Sequence, residues 1–160
     1  MAQSGRPLKV NPEHEFILEE IDNENNDFVI SSLLKNGIDI LDSYGRNALI
    51  NAVICNNSII FEWTIENGSK FNLQDKNGYS ALHFAAQENN LEMTERLVNK
   101  GADVNITDKH GNAPIWTAIM NYNGGENLSL IKYLQNNGAN IELKNNYGRS
   151  PRDISTNLFH

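Results

Sequence analysis

Hydrophobic residues in the middle of the chain recur at helical spacing. Between residues 77 and 109, Leu82 and Ala86 fall on one helical face, and Met93 and Leu97 do so in the segment that follows. Thr94, Glu95 and Arg96, which lie between Met93 and Leu97, are polar. The pattern predicts two short amphipathic helices, each with an apolar face that needs a neighbour to cover it.

Glycines show that this pair of helices is repeated. One series consists of Gly45, Gly78, Gly111 and Gly148. A second series consists of Gly37, Gly68, Gly101 and Gly138. The step within each series is 33 residues at the centre of the chain and 37 at the last position, and the second series opens with a step of 31. A fixed period of this length is typical of repeat proteins.

The segment from residue 77 to 109 resembles an ankyrin repeat. Residues 80–86, SALHFAA, are similar to the family's Thr-Pro-Leu-His-x-Ala-Ala, and residues 101–105, GADVN, match its Gly-Ala-Asp-Val-Asn at all five positions. Looser copies of the first signature occur at residues 47–53, NALINAV, and 113–119, APIWTAI. The resemblance covers about residues 13 to 158, with three well-formed inner repeats and two irregular end units.

The resemblance implies an all-α fold, an elongated ankyrin-repeat solenoid of stacked antiparallel helix pairs with projecting hairpin loops. The expected organisation is an N-terminal arm (1–12), an N-terminal capping repeat (13–42), ankyrin repeats at 43–75 and 76–108, a repeat with a four-residue insertion (109–145), and a truncated C-terminal capping repeat (146–160). Helix pairs are expected near 13–35, 47–67, 80–100 and 113–137, with a final helix from Pro151.

Stacking of the repeats has to supply the core, because no single helix pair can hide both of its faces. Residues at the predicted inter-repeat contacts are Leu49, Leu82, Ala85, Leu97, Ile115 and Leu134. Ser80 and Ser150 are expected to cap helices, since a serine hydroxyl accepts a hydrogen bond from a free backbone N–H at a helix start. Acidic residues in the first helix, such as Glu19, suit the polar outer face of an end repeat.

Composition narrows the class of protein. The first ten residues are polar and contain a proline, and no apolar run approaches the ~18 residues of a membrane span, so we expect a soluble, unprocessed, cytoplasmic protein. Cys55 is the only cysteine, which suits a reducing compartment and excludes an intrachain disulfide. The net charge of −7 argues against a nucleic-acid partner, because phosphate binding relies on clustered Lys and Arg.

Two residues invite a catalytic interpretation. His83 occupies the family's histidine position, which implies a structural hydrogen bond to loop backbone. Trp116 and Ile50 fill the equivalent position in the neighbouring repeats, and a catalytic role could not tolerate them. Cys55 has no histidine close in sequence and no cationic setting, so we interpret it as a partly buried bystander. We therefore expect no catalysis and no cofactor.

Three aspartates recur with the period, at the base of successive hairpins: Asp42, Asp75 and Asp108. The resemblance implies that they cap the loops, and a row of carboxylates that binds a metal or another ligand is the alternative. Metal binding is not our prediction. Gly124 and Gly125 do not form a phosphate loop, because no Lys-Ser follows them.

Residues 121–127, NYNGGEN, account for the four extra residues of the third inner repeat. They follow the first helix of that repeat. The segment is interpreted either as a tolerated surface insertion or as a contribution to binding through Tyr122.

The resemblance implies a partner surface made of hairpin loops and first helices. The loop residues expected to bind are Tyr44, Arg46, Lys76, Tyr79, Lys109, His110, Asn112, Tyr147 and Arg149. The helix residues are Asn51, Ile54, Phe84, Gln87, Glu88, Thr117, Met120 and Asn121. Tyr79 and Phe84 are expected to be exposed anchors at the centre of a concave face, since aromatic residues dominate interface energetics.

The sequence thus predicts a non-catalytic module that recognises a protein partner and is a monomer when free. An inhibitor is the favoured role, such as an immunity protein that neutralises a bacterial toxin. An adaptor or a host-directed effector is the alternative within the binding class, and it needs a second binding surface. A small-ligand binder or an enzyme subunit is more remote, because a thin helical stack seldom encloses a deep pocket.

Overall fold

A computed structural model of the chain describes residues 11–122 and 128–155. The chain divides into two compact units, residues 1–69 and 70–160. All regular secondary structure in the described ranges is helical. The expectation of an all-α fold is confirmed.

The first unit contains two helix pairs. Its helices are α1 (Pro12–Glu19), α2 (Asn26–Asn36), α3 (Ala48–Ile54) and α4 (Ser58–Glu66). Helix α2 packs against α1 and α4, and α3 packs against α4. Leu33, Leu49 and Phe61 are almost completely buried at these contacts. Burial of an apolar side chain of this size contributes about 1.5–3 kcal/mol to folding.

The second unit contains two further pairs and a closing turn of helix. Its helices are α5 (Ala81–Gln87), α6 (Leu91–Asn99), α7 (Pro114–Met120), α8 (Leu128–Asn136) and α9 (Pro151–Ile154). Helix α5 packs against α6 and α7, α7 also contacts α8 and α9, and α6 contacts α8. Leu82, Ala85, Leu97, Ile115 and Leu134 are all fully buried there. The predicted core residues are therefore confirmed.

Side-chain caps explain where the helices begin. Ser80 and Ser150 each form a capping box with the third residue of the helix, His83 and Asp153 respectively. Asn57 caps α4 by accepting the Ile60 N–H at 3.1 Å, and other asparagines cap α3 and α6 in the same way. Helix α1 begins at Pro12 and α2 ends at Asn36, each one residue outside the predicted 13–35, and the other described helices fall in their predicted ranges. None of the described helices is long and apolar enough to cross a membrane.

Candidate functional site

Four turns follow the four helix pairs, the last of them leading to α9, and each is held by the side chain of its first residue. We call these segments the tips: residues 42–46, 75–79, 108–112 and 145–149. In the first tip, Oδ1 of Asp42 accepts the backbone N–H of Tyr44 at 2.8 Å and of Arg46 at 2.9 Å. A backbone hydrogen bond from Asp42 N to Arg46 O closes the turn.

The other three tips repeat this arrangement. Asp75 and Asp108 each accept two backbone N–H groups of their own tip through Oδ1. Asn145 makes the same two hydrogen bonds with its amide oxygen, at 3.0 and 3.1 Å. The loop-capping role expected of the aspartates is confirmed. Within residues 11–122 and 128–155, no group of three His, Cys, Asp or Glu side chains is placed to hold a metal ion.

Backbone hydrogen bonds join the tips of the second unit to one another. Lys109 N donates to Asn77 O at 3.0 Å, and Asn146 N donates to His110 O at 2.9 Å. A Cβ atom at Gly111 would lie 2.9 Å from the nitrogen of Asn146, so only glycine permits this approach. These three tips form one connected layer of backbone.

His83 links α5 to the next tip from inside the fold. Its Nε2 lies 3.0 Å from the carbonyl oxygen of Asn112, which can only accept, and its Nδ1 lies 3.1 Å from the backbone N–H of Ser80, which can only donate. The imidazole is therefore neutral, with its proton on Nε2. It is fully buried, and burial lowers the pKa of His83. The structural role expected of His83 is confirmed.

Phe84 and Thr117, both expected on the exposed groove, are buried. Phe84 is 9 % exposed and Thr117 6 % exposed. The Phe84 ring packs against Tyr79, with centroids 5.3 Å apart. The expectation that Phe84 is an exposed anchor is wrong, because α5 is covered on several faces and all residues from 81 to 86 are buried.

Most of the other predicted binding residues reach solvent. The exposed ones are Tyr44, Lys76, Gln87, Glu88, Lys109, His110, Met120, Asn121, Tyr147 and Arg149. Those of intermediate exposure are Arg46, Asn51, Ile54, Tyr79, Asn112 and Tyr122. Residues 123–127 of the insertion lie outside the described residues, so only Asn121 and Tyr122 represent it here.

A cleft of about 320 Å³ opens in the first unit between α1, the first tip and α3. The residues that line it are Glu15, Leu18, Glu19, Asp22, Asp42, Tyr44, Arg46, Asn51, Ile54 and Cys55. Four of these are predicted binding residues: Tyr44, Arg46, Asn51 and Ile54. The Arg46 guanidinium lies over the Tyr44 ring, 4.8 Å from its centroid.

The carboxylates of this cleft were not among the predicted binding residues. Glu19 was interpreted as part of a polar end face, yet it lines the cleft with Glu15 and Asp22. The signal in the sequence was their spacing of four and three residues, which places all three on one side of a helix or its continuation. Glu15 is held in place by the backbone N–H and the hydroxyl of Ser43, at 2.6 and 2.8 Å.

Cys55 lies at the wall of the same cleft as a weakly acidic thiol. Partial burial, followed by the charge of Asp22 and a hydrogen bond to it, raises the pKa of Cys55 to about 11. Thiolate is the reactive form of cysteine, so this environment suppresses nucleophilic chemistry. The interpretation of Cys55 as a partly buried bystander agrees with its intermediate exposure.

Comparison with known proteins identifies the repeat. A family model described as ankyrin repeats, in three copies, matches residues 52–145, which is more than half of the chain. No match is found among the curated proteins. Ankyrin repeats are in general protein-interaction modules without catalytic activity. With its helix pairs, capped tips and matched family model, the chain belongs to the ankyrin-repeat family and is a protein-binding module.

Proposed function

We propose that this module binds a single protein partner through its tips and the adjoining first helices, and that binding inhibits the partner. An immunity protein that neutralises a bacterial toxin is the specific role we favour. A small recognition domain can inhibit simply by covering a functional surface. We propose that it acts as a cytoplasmic monomer, which light scattering of the purified chain tests directly.

Exposed apolar side chains on a braced scaffold are the observation that carries this proposal. Tyr44 is 58 % exposed, Met120 63 % and Tyr147 71 %. Tyr44 and Tyr147 lie in tips whose backbone is held by Asp42 and Asn145, so little conformational freedom is lost when a partner covers them. Large side chains of this kind supply most of the energy of protein interfaces.

The test compares two sets of substitutions with matched exposure. Tyr44→Ala, Met120→Ala and Tyr147→Ala remove the proposed anchors. Leu34→Ala and Ile59→Ala, on α2 and α4, remove apolar side chains that are 71 % and 57 % exposed outside the proposed surface. The partner is first recovered by affinity capture from the native host and then titrated by calorimetry against each variant.

We expect each anchor substitution to weaken binding by about 2 kcal/mol or more and the controls to change it by less than about 0.5 kcal/mol. All five variants should melt like the parent, because none of these side chains is buried. Loss of binding in the control set alone would place the partner on the second helices. An inhibitor also requires that the captured partner lose its activity in the complex, whereas an adaptor would hold two partners at once.

A further inference from the structure

The exposed charges on the tips of the second unit are all positive. Lys76, Lys109 and Arg149 are exposed, one in each of the three tips. The only acidic residues in these tips, Asp75 and Asp108, are 7 % and 6 % exposed. The surface that these tips present to a partner is therefore cationic, although the whole chain carries a net charge of −7.

The carboxylates inside the tips are occupied by the fold. Oδ1 of Asp75 accepts the N–H groups of Asn77 and Tyr79, and Asp108 accepts those of His110 and Asn112. Carboxylates buried in this way face the backbone of their own turn. They hold the turn closed and do not offer an acceptor to an incoming partner.

Asn145 removes the negative charge altogether from the last tip. Its amide oxygen makes the same two backbone hydrogen bonds as the aspartates. Its Nδ2 donates to Asn112 Oδ1 at 2.9 Å, a bond to the neighbouring tip that a carboxylate could not donate. The exchange of acid for amide leaves the turn intact and makes this end of the surface more positive.

Neighbouring side chains do not cancel this charge. Lys76 and Lys109 form no ion pair with a carboxylate in the described residues. The charges of Lys144 and Arg149 both act on the exposed Asp153, which also accepts the Ser150 N–H at 2.8 Å, so this carboxylate is shared between two cations.

The geometry of the tips adds an aromatic element to the cations. The rings of His110 and Tyr147 stack across two adjacent tips, with centroids 6.2 Å apart. Both side chains are exposed, and the backbone beneath them is joined by the bond from Asn146 N to His110 O. A stacked aromatic pair in the same tips as Lys109 and Arg149 suits a chain segment that carries both carboxylates and apolar groups.

We infer that the tips of the second unit bind an acidic segment of a protein partner, whose carboxylates pair with Lys76, Lys109 and Arg149 while its backbone or apolar groups pack on His110 and Tyr147. This inference rests on the proposed function and names the chemistry of the partner. A protein segment is favoured over a nucleic acid, because three cations on a chain of charge −7 do not offset repulsion of a long polyanion.

The experiment uses a fluorescein-labelled peptide of glutamate and tyrosine residues and measures its anisotropy with the full chain. The test variant, which we call the tip variant, carries Lys76→Gln, Lys109→Gln and Arg149→Gln. The matched control is Lys35→Gln with Lys100→Gln and Lys132→Gln, exposed cations that lie outside the tips. Both variants have the same net charge, so a difference between them reports position and not overall charge.

We expect the tip variant to bind the acidic peptide roughly tenfold more weakly than the parent at low salt, and the control variant to stay within about twofold. No binding by the parent chain, or equal losses in the two variants, would overturn the inference. Tighter binding of a labelled oligouridylate than of the peptide would also overturn it, in favour of a nucleic acid. If the captured partner needs Tyr44 and Met120 but tolerates the tip variant, the proposed function stands and this inference fails.

Discussion

Substitution of Gly111 by alanine tests how much of the stability of the second unit depends on contact between adjacent tips. Its φ of +81° is a conformation that residues with a Cβ rarely adopt. An added Cβ would lie 2.8 Å from Asn146 Oδ1, 2.9 Å from Asn146 N and 3.1 Å from Asn145 Cα. Gly148 has a similar φ of +73° with nothing within 4 Å of the same position, so it is the matched control.

Both alanine substitutions destabilise the fold through a left-handed backbone, but only one of them also creates a steric clash. A left-handed backbone costs a non-glycine residue about 1 kcal/mol, which applies to Gly111→Ala and Gly148→Ala alike. Only Gly111→Ala also forces the next tip away. That shift weakens the Asn146 N to His110 O bond and the Asn145 Nδ2 to Asn112 bond, each 2.9 Å long and each contributing about 0.5–1.5 kcal/mol.

We therefore expect Gly148→Ala to lose about 1 kcal/mol and Gly111→Ala to lose about 2–4 kcal/mol. Urea titration followed by circular dichroism measures the difference. Hydrogen exchange at the Asn146 amide localises it, because that N–H should lose protection in Gly111→Ala alone. Equal losses in the two variants, to within about 0.5 kcal/mol, would show that the tips do not support one another.

Two further predictions concern groups whose pKa is displaced. Burial lowers the pKa of His83 from 6.5, so its neutral form stabilises the fold above that pH and the contribution is lost as the pH falls below about 6.5. Urea midpoints between about pH 7.5 and about pH 5.5 should fall more steeply in the parent than in His83→Gln, and equal slopes would contradict the neutral tautomer. Cys55, with a pKa of about 11 against an ordinary 9.0, should react with iodoacetamide near pH 8 roughly 100-fold more slowly than an ordinary thiol. Asp22→Asn should accelerate the reaction, and an unchanged rate would remove Asp22 as a cause.

Local features of this chain were predictable from its sequence. Helix positions followed from apolar spacing, and the capping role of Ser80 followed from its residue type, because a serine hydroxyl satisfies a free backbone N–H at a helix start. The loop-capping role of Asp75 was implied by the resemblance to the repeat family. His83 was also predictable, because its position in the repeat is shared with a known family and its neighbours Ile50 and Trp116 ruled out a catalytic requirement.

Side-chain exposure was harder to predict where elements distant in sequence meet. A helical wheel assigns one buried face to α5. In the structure the other faces of α5 are covered as well, so Phe84 is also buried. Contacts such as Glu15 with Ser43, 28 residues apart, have no local signature and create the cleft that the sequence did not reveal. The distribution of charge on the tips likewise required burial to be known, because Asp75 and Lys76 are adjacent in sequence but differ completely in their access to solvent.

The hydrogen bonds that join neighbouring tips run between main-chain atoms, so the side chains of the tips can change during evolution without breaking them. Asn146 N to His110 O and Lys109 N to Asn77 O do not depend on which side chains these positions carry. Substitutions at Lys76, Lys109 or Tyr147 can therefore alter what is recognised without disturbing what holds the surface in shape. Asp108 and Gly111 have less freedom, since the turn needs a side-chain oxygen acceptor at the first position, as a carboxylate or an amide, and glycine where the next tip approaches. Variation among descendants of this chain should accordingly concentrate at the outward tip positions, so that new partners are acquired at little expense in stability.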